Sequence, residues 1–153
     1  LFDKQNNKNL KKISREGLRY LYDKNILEDT KTFVRINSQK SEFYEKDIQT
    51  ISLLLKKKSL IEGIFLPKVE NYKQIKDCYD QLSCTKIKKV SIVPMIETEE
   101  GLKNLDKILL EDKNNDIIKY VHYGHYDFCL DSNFWPFPEP YHFEYWKVIS
   151  RSF

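Results

Sequence analysis

The chain has 153 residues, 41% of them hydrophobic and 32% charged, with a formal net charge of +3. That length suits one domain, and the balance of apolar and charged residues excludes an intrinsically disordered chain. The positive surplus does not point to nucleic acid: it belongs to a composition with no alanine and an abundance of Lys, Asn, Ile, Tyr and Phe, which a coding bias produces without selection for a basic surface, and Lys56-Lys57-Lys58 reads as the solvated end of a helix.

The opening "LFDKQNNKNLKK" is polar, unlike a signal peptide, and has no initiator methionine, so a fragment of a longer chain is expected. Leu10, Ile13, Leu18 and Leu21 then recur at helical spacing. "TFVRIN" (32–37) has the length and the residues of a strand. Ile48, Ile51, Leu54 and Leu55 predict a second helix, and "GIFLPK" (63–68) a second strand. A third helix follows from Tyr72, Ile75, Tyr79 and Leu82, with Asn71 as its N-cap. "VSIVPMIE" (90–97) is the third strand. A fourth helix carries Leu102, Leu105, Ile108 and Leu109, started by Thr98 with Glu99 and Glu100 in its first turn. "IIKYVHYG" (117–124) is the fourth strand. Beyond Asp131, "SNFWPFPEPYHFEYW" reads as a long ordered loop entering a helix near Tyr141. Its Phe134, Trp135, Phe137, Tyr141, Phe143, Tyr145 and Trp146 suit loop and interface packing better than a ligand-stacking wall.

Strands alternating with helices, at a spacing of about thirty residues, predict βαβ units and hence a parallel sheet covered by helices. Most of the apolar runs do not alternate in polarity, as befits strands buried on both faces. Cys78, Cys84 and Cys129 include no CxxC pair and are too scattered for a disulfide framework or a zinc site, so buried or idle thiols in a reducing cytoplasm are expected. No stretch reaches the roughly 18 apolar residues of a spanning helix, and no membrane partner is expected.

Ligands of parallel α/β folds bind at the carboxyl ends of the strands. Here those ends bring Arg35, with Asn37 and Ser38 after it; Lys68 and Glu70; Glu97; and Gly124, His125 and Asp127. Two carboxylates with waters suit Mg²⁺ or Mn²⁺ and leave positions for a substrate. Arginine offers a planar fork for a carboxylate or a developing oxyanion. Glycine permits a sharp exit from the strand and a ligand's close approach. Each residue also has an ordinary reading. Arg35 can pair with a surface acid, Glu70 can cap the helix at Asn71, and Asp127 can be a loop acid. Glu97 can serve a helix dipole, Lys68 suits a structural or electrostatic role better than a Schiff base, and His122 a packed or solvent-facing one. His125, beside Asp127, is open between that reading and an acid/base group.

The series "VRIN", "GIFLPKVE", "VPMIETEEG" and "YGHYDF", in this order and spacing, resembles the citrate lyase beta-subunit/HpcH–HpaI aldolase family from about Arg15 to Asp131. The resemblance implies a (β/α)₈ TIM barrel, of which residues 1–153 would cover roughly strands 3 to 6 as a single partial domain, the first and last strands being absent; a full barrel needs about 250 residues. It implies a divalent-metal-dependent carbon–carbon lyase, or the reverse synthase, acting through an enolate of an α-keto acid or acyl thioester. Glu97 and Asp127 would be ligands of Mg²⁺ or Mn²⁺, Arg35 the catalytic and substrate-binding cation, and Glu70, Gly124 and His125 substrate-side residues, with Glu70 behind the first layer. A cytoplasmic homo-oligomer acting on a small molecule, with neither nucleic acid nor membrane as partner, goes with it. Two alternatives stand beside this reading: phosphoenolpyruvate-type enolate chemistry, and a family-derived protein that binds a metabolite or partner without turnover. The chain departs from the family at His125 and Tyr126, where small residues are usual, and in "FCLDSNFWPFPEP" after Asp127, where a glycine-containing segment is usual. Only Asp3 stands near the place of an acidic segment that normally follows the second barrel strand.

Overall fold

The computed structural model describes residues 4–27, 30–56, 61–83 and 90–133. Within them the chain runs α1 (Lys4–Asp23), β1 (Thr32–Arg35), α2 (Tyr44–Lys56), β2 (Ile61–Leu66), α3 (Tyr72–Ser83), β3 (Ser91–Ile96), α4 (Glu99–Lys103), α5 (Leu105–Asp112), β4 (His122–Tyr123) and α6 (His125–Asp131). The strands lie in the order β1-β2-β3-β4, and every neighbouring pair is parallel. Alternating helices and strands have thus produced the parallel α/β sheet they predict.

Register assigns the side chains to two faces. Val34, Ile64 and Ile92 are aligned across β1, β2 and β3. They join the main core with Ile51, Leu54 and Leu55 of α2, Ile75 of α3 and Ile108 of α5. Arg35, Phe65 and Val93 are aligned on the opposite face. There Phe33 packs on Phe65 and Tyr120, and Phe65 meets His122 edge-on with ring centroids 5.6 Å apart. Gly63 lies beneath this row because a Cβ at that position would come within 2.5 Å of the Phe33 ring.

The helix starts are encoded locally. The Asn71 side chain accepts from the Gln74 amide at 3.1 Å, and the Gln74 side chain in return accepts from the amides of Glu70 (2.7 Å) and Asn71 (3.1 Å). This reciprocal arrangement satisfies donors that a first helical turn leaves without partners, and a capping side chain is worth about 1 kcal/mol. Thr98 caps α4 by accepting from the Gly101 amide at 3.0 Å. The Asp131 carboxylate, at the end of α6, accepts from the Glu99 amide at 2.8 Å and so ties α6 to the same turn.

Four elements depart from the sequence pattern. The α1 stripe is only half used: Leu18 and Tyr22 pack on the core, whereas Leu10 and Ile13 are each 61% exposed. β2 ends at Leu66, because Pro67 has no N–H to give the ladder and Lys68 turns into the left-handed region at φ 55°. The fourth helix divides at Asn104 into α4 and α5. The fourth strand contracts to His122–Tyr123 plus a bridge between Ile92 and Ile118. The amides of Ile117 and Ile118 donate instead to the Asp112 carboxylate, at 3.2 and 2.9 Å, and are lost to a strand ladder.

Cys78 and Cys129 are buried. Burial pushes the Cys78 thiol up to about 11, which keeps it protonated and unreactive. Cys84, Lys57, Lys58, Asp3 and the aromatic run from Phe134 onward lie outside the described residues. No described helix is long and apolar enough to cross a membrane.

Candidate active site

Backbone hydrogen bonds continue the sheet past its strands and gather three chain segments. The Gly124 amide donates to the Ile96 carbonyl at 2.9 Å, and the Val69 amide donates to the Met95 carbonyl at 3.2 Å. The turn into α6 and the exit from β2 therefore both stand against Glu97, the residue that follows β3. Lys68 donates its backbone N–H to Glu97 Oε2 at 3.1 Å. Arg35 Nη2 lies 3.7 Å from Glu97 Oε1, and Lys68 Nζ lies 3.8 Å from Asp127 Oδ1.

These contacts layer the cluster. The Glu97 side chain is only 2% exposed and forms its floor, while those of Arg35 and Lys68 are 60% and 52% exposed and form its rim. Asp127 sits between, half-buried, in the first turn of α6. Gly124 has a φ of −90°, which any residue adopts, so its backbone does not demand glycine. Space does: a Cβ would come within 2.2 Å of Glu97 Cγ and 2.7 Å of its Oε1. The group that approaches Gly124 closely is thus the carboxylate of Glu97.

Burial, first, and the neighbouring charge of Asp127, second, push the Glu97 carboxyl above its usual range; Arg35, the Lys68 N–H and the Lys68 charge oppose them. Two neighbouring carboxylates, one of them buried, are an arrangement that a hard cation relieves. The donor set fits Mg²⁺ or Mn²⁺. Two carboxylates leave positions for water or substrate oxygens; the Lys68 amide occupies Glu97 Oε2, and Oε1 lies toward Arg35. Among the described residues, no group of three or more His, Cys, Asp or Glu side chains could hold a metal.

Of the other expected site residues, Glu70 is turned away from this cluster and His125 adjoins Gly124 at the start of α6. Glu70 turns its carboxylate to Lys40 at 3.5 Å and its carbonyl to Asn104. The helix cap that Glu70 was an option for is supplied by Asn71. His125 opens α6 two residues before Asp127, its ring 5.9 Å from that of Tyr123. His122 belongs to the aromatic row of the sheet face. Asn37 donates its amide to the Asp47 carboxylate at 2.9 Å, and Asp47 also accepts from Arg15 at 2.9 Å.

Two buried carboxylates went unremarked in the sequence. Asp47 joins the end of β1 to α2 and α1. Asp112 accepts from the Ile117 and Ile118 amides and from the Tyr72 hydroxyl at 3.0 Å. Nothing local marks either as buried, since each sits in a helix among charged neighbours. Two hollows of the surface also lie elsewhere. One of about 530 Å³ between α1 and α2 is lined by Lys8, Lys12, Arg15, Arg19, Glu42 and Lys46, and one of about 290 Å³ runs from Arg15 and Asp47 to Arg35. Neither includes Glu97 or Asp127, though the second reaches Arg35 at the rim of the strand-end cluster.

The sequence model of the HpcH/HpaI aldolase/citrate lyase family matches residues 1–134. The chain belongs to this family. No curated protein matches it. Among solved structures, RipC from Yersinia pestis is 21% identical with a TM-score of 0.54, over 66% of this chain and 43% of that one. A citrate lyase from Burkholderia xenovorans is 16% identical with a TM-score of 0.59, over 77% of this chain and 38% of that one. The chain therefore covers less than half the length of either structure, and these likenesses bear on the fold alone. As an HpcH/HpaI chain it carries a curled parallel half-barrel sheet, in keeping with the (β/α)₈ architecture the family resemblance implied, and the family is one of aldolases and citrate lyases.

Proposed function

We propose that this chain contributes the cation- and enolate-binding part of a carbon–carbon lyase, or of the reverse synthase, acting on an α-keto acid or acyl thioester. The observation that carries this reading is the buried Glu97 carboxylate. It is held by the Lys68 amide, cleared of obstruction at Gly124, and set beside a second carboxylate and an arginine. Glu97 and Asp127 would hold Mg²⁺ or Mn²⁺, which supplies Lewis-acid polarisation of a keto or thioester oxygen.

Arg35 stands on the sheet face opposite the main core and reaches Glu97 Oε1. Its fork can turn from Glu97 to a substrate carboxylate or to the oxygen on which negative charge develops. His125 and Gly124, at the start of α6, border the space where the remainder of the substrate would lie. Glu70 acts at one remove, through Lys40 and the cap of α3. The outer edges of β1 and β4 have no strand partner among the described residues. Further strands, from a longer chain or from a partner subunit, would complete the barrel and the pocket.

The test is turnover of oxaloacetate or a related keto acid by the full-length protein with Mg²⁺ or Mn²⁺, in the wild type and in Arg35→Lys. Activity should vanish on chelation and return with the cation. Arg35→Lys should lose roughly a hundredfold in turnover, the scale of one well-placed donor to a developing oxyanion, with cation affinity little changed. Turnover indifferent to chelation would overturn the reading. No turnover despite tight cation binding would favour the alternative of a family-derived binding protein.

A further inference from the structure

Among the described residues, Lys68 is the one whose main chain and side chain reach different carboxylates of the cluster. Its amide meets Glu97 Oε2 at 3.1 Å and its ammonium meets Asp127 Oδ1 at 3.8 Å. The amide contact is made from φ 55°, a conformation that costs a non-glycine residue roughly 1–2 kcal/mol and glycine almost nothing. A strained position that glycine would fill more cheaply carries a lysine, and that directs attention to its side chain.

With Arg35 facing Glu97 and Lys68 facing Asp127, two positive groups stand against two carboxylates. A divalent cation held by Asp127 would bring a second positive charge against the same carboxylate. An ammonium beside that carboxylate would repel it. The Lys68 side chain is 52% exposed, on a flexible stem, and can withdraw into water at little cost. The same exposure argues against a Schiff-base role, which needs a desolvated amine.

We propose that Lys68 is a positioning residue with divided duties: its amide fixes Glu97, while its ammonium acts as an internal counter-ion that holds Asp127 until a divalent cation displaces it. The inference rests on the reading of Glu97 and Asp127 as cation ligands. Its consequence is that the lysine lowers the affinity of the site for the cation, so that losing the charge strengthens binding.

The experiment is a Mn²⁺ titration of the full-length protein by calorimetry and by the free-Mn²⁺ electron paramagnetic resonance signal. It compares the wild type with Lys68→Met, Lys68→Gln, Lys68→Arg and Asp127→Asn, at low and high salt. Lys68→Met and Lys68→Gln both keep the amide and remove the charge. They should bind Mn²⁺ about two- to fivefold more tightly, the scale of one solvent-exposed ion pair, and the gain should shrink as salt rises. Lys68→Arg should stay near the wild type. Equal or weaker binding by both neutral variants, with Asp127→Asn still much weaker than the wild type, overturns the counter-ion role and leaves the ligand reading intact. If neither the wild type nor the neutral variants bind Mn²⁺, or if Asp127→Asn binds as the wild type does, both readings fall. Binding seen only in the neutral variants supports both.

Discussion

Asp112 and Glu97 are both buried carboxylates, and their surroundings differ in kind. Asp112 accepts from two backbone amides and a tyrosine hydroxyl, all donors of its own immediate fold. Glu97 accepts one amide, faces an arginine at 3.7 Å and stands near a second carboxylate whose charge opposes its own. A fully satisfied buried acid is a strut, because its desolvation is offset by the donors around it. A buried acid with a like-charged neighbour is poised for something else to arrive. Asp47, held by Arg15 and Asn37, belongs with Asp112.

The sharpest way to break this comparison is Asp112→Ala in the full-length protein. It leaves the amides of Ile117 and Ile118 and the Tyr72 hydroxyl without their acceptor, at an expected cost of about 3 kcal/mol in urea unfolding. Mn²⁺ affinity should be unchanged wherever the variant is folded. A strong loss of affinity in the folded variant would put Asp112 in the site and dissolve the contrast.

Gly124→Ala tests the other side. The added methyl group must push Glu97 aside, so cation affinity should fall about tenfold or more while stability falls by about 1–3 kcal/mol, as for an overpacked core. Cation binding equal to that of the wild type would mean that the carboxylate has slack that the 2.2 Å approach to Glu97 Cγ denies.

Glu97→Gln gives the smallest expected change and the most telling sign. The Glu97 carboxyl is raised above its ordinary value of 4.5. The folded state therefore binds its proton more tightly than the unfolded chain does. The stability this lends is fully present below the ordinary carboxylate value and is lost as pH rises through the elevated one. Without added cation, Glu97→Gln should match the wild type in melting temperature at low pH and exceed it at neutral pH. The glutamine oxygen can still accept the Lys68 amide. With saturating Mn²⁺ the order should reverse, since only the wild type is stabilised by the cation. A variant less stable than the metal-free wild type at neutral pH would class Glu97 with Asp112.

Much of the scaffold was legible because it is encoded locally. Apolar runs of strand length, helical spacing, and the caps at Asn71 and Thr98 depend on residues within a turn or two of one another; both caps and the order of elements appear in place, while the fourth strand contracts and the fourth helix divides. Arg35, Glu97 and Asp127 were legible as candidates because ionisable groups ended successive apolar runs, and parallel strands bring those ends together. Glu70 was read by the same rule but falls outside the cluster. The capped start of α3 turns it away, toward Lys40.

By itself the sequence determined the alternation, the parallel sheet and the end of the sheet at which charged groups collect, since period, length and order along the chain suffice for these, and its motif series carried the resemblance to the family. Only the tertiary structure decided which acids are struts and which are poised, because that depends on donors 29 residues away at Lys68 or 40 away at Tyr72. It also decided that Gly124 is there for the space of Glu97, that Lys68 bends to φ 55° to serve it, and that Asp112 takes the amides the fourth strand would have used. The physical reason is common to all three. Desolvation, close approach and competition for a hydrogen-bond donor are relations between groups in space, and no period along one segment records them.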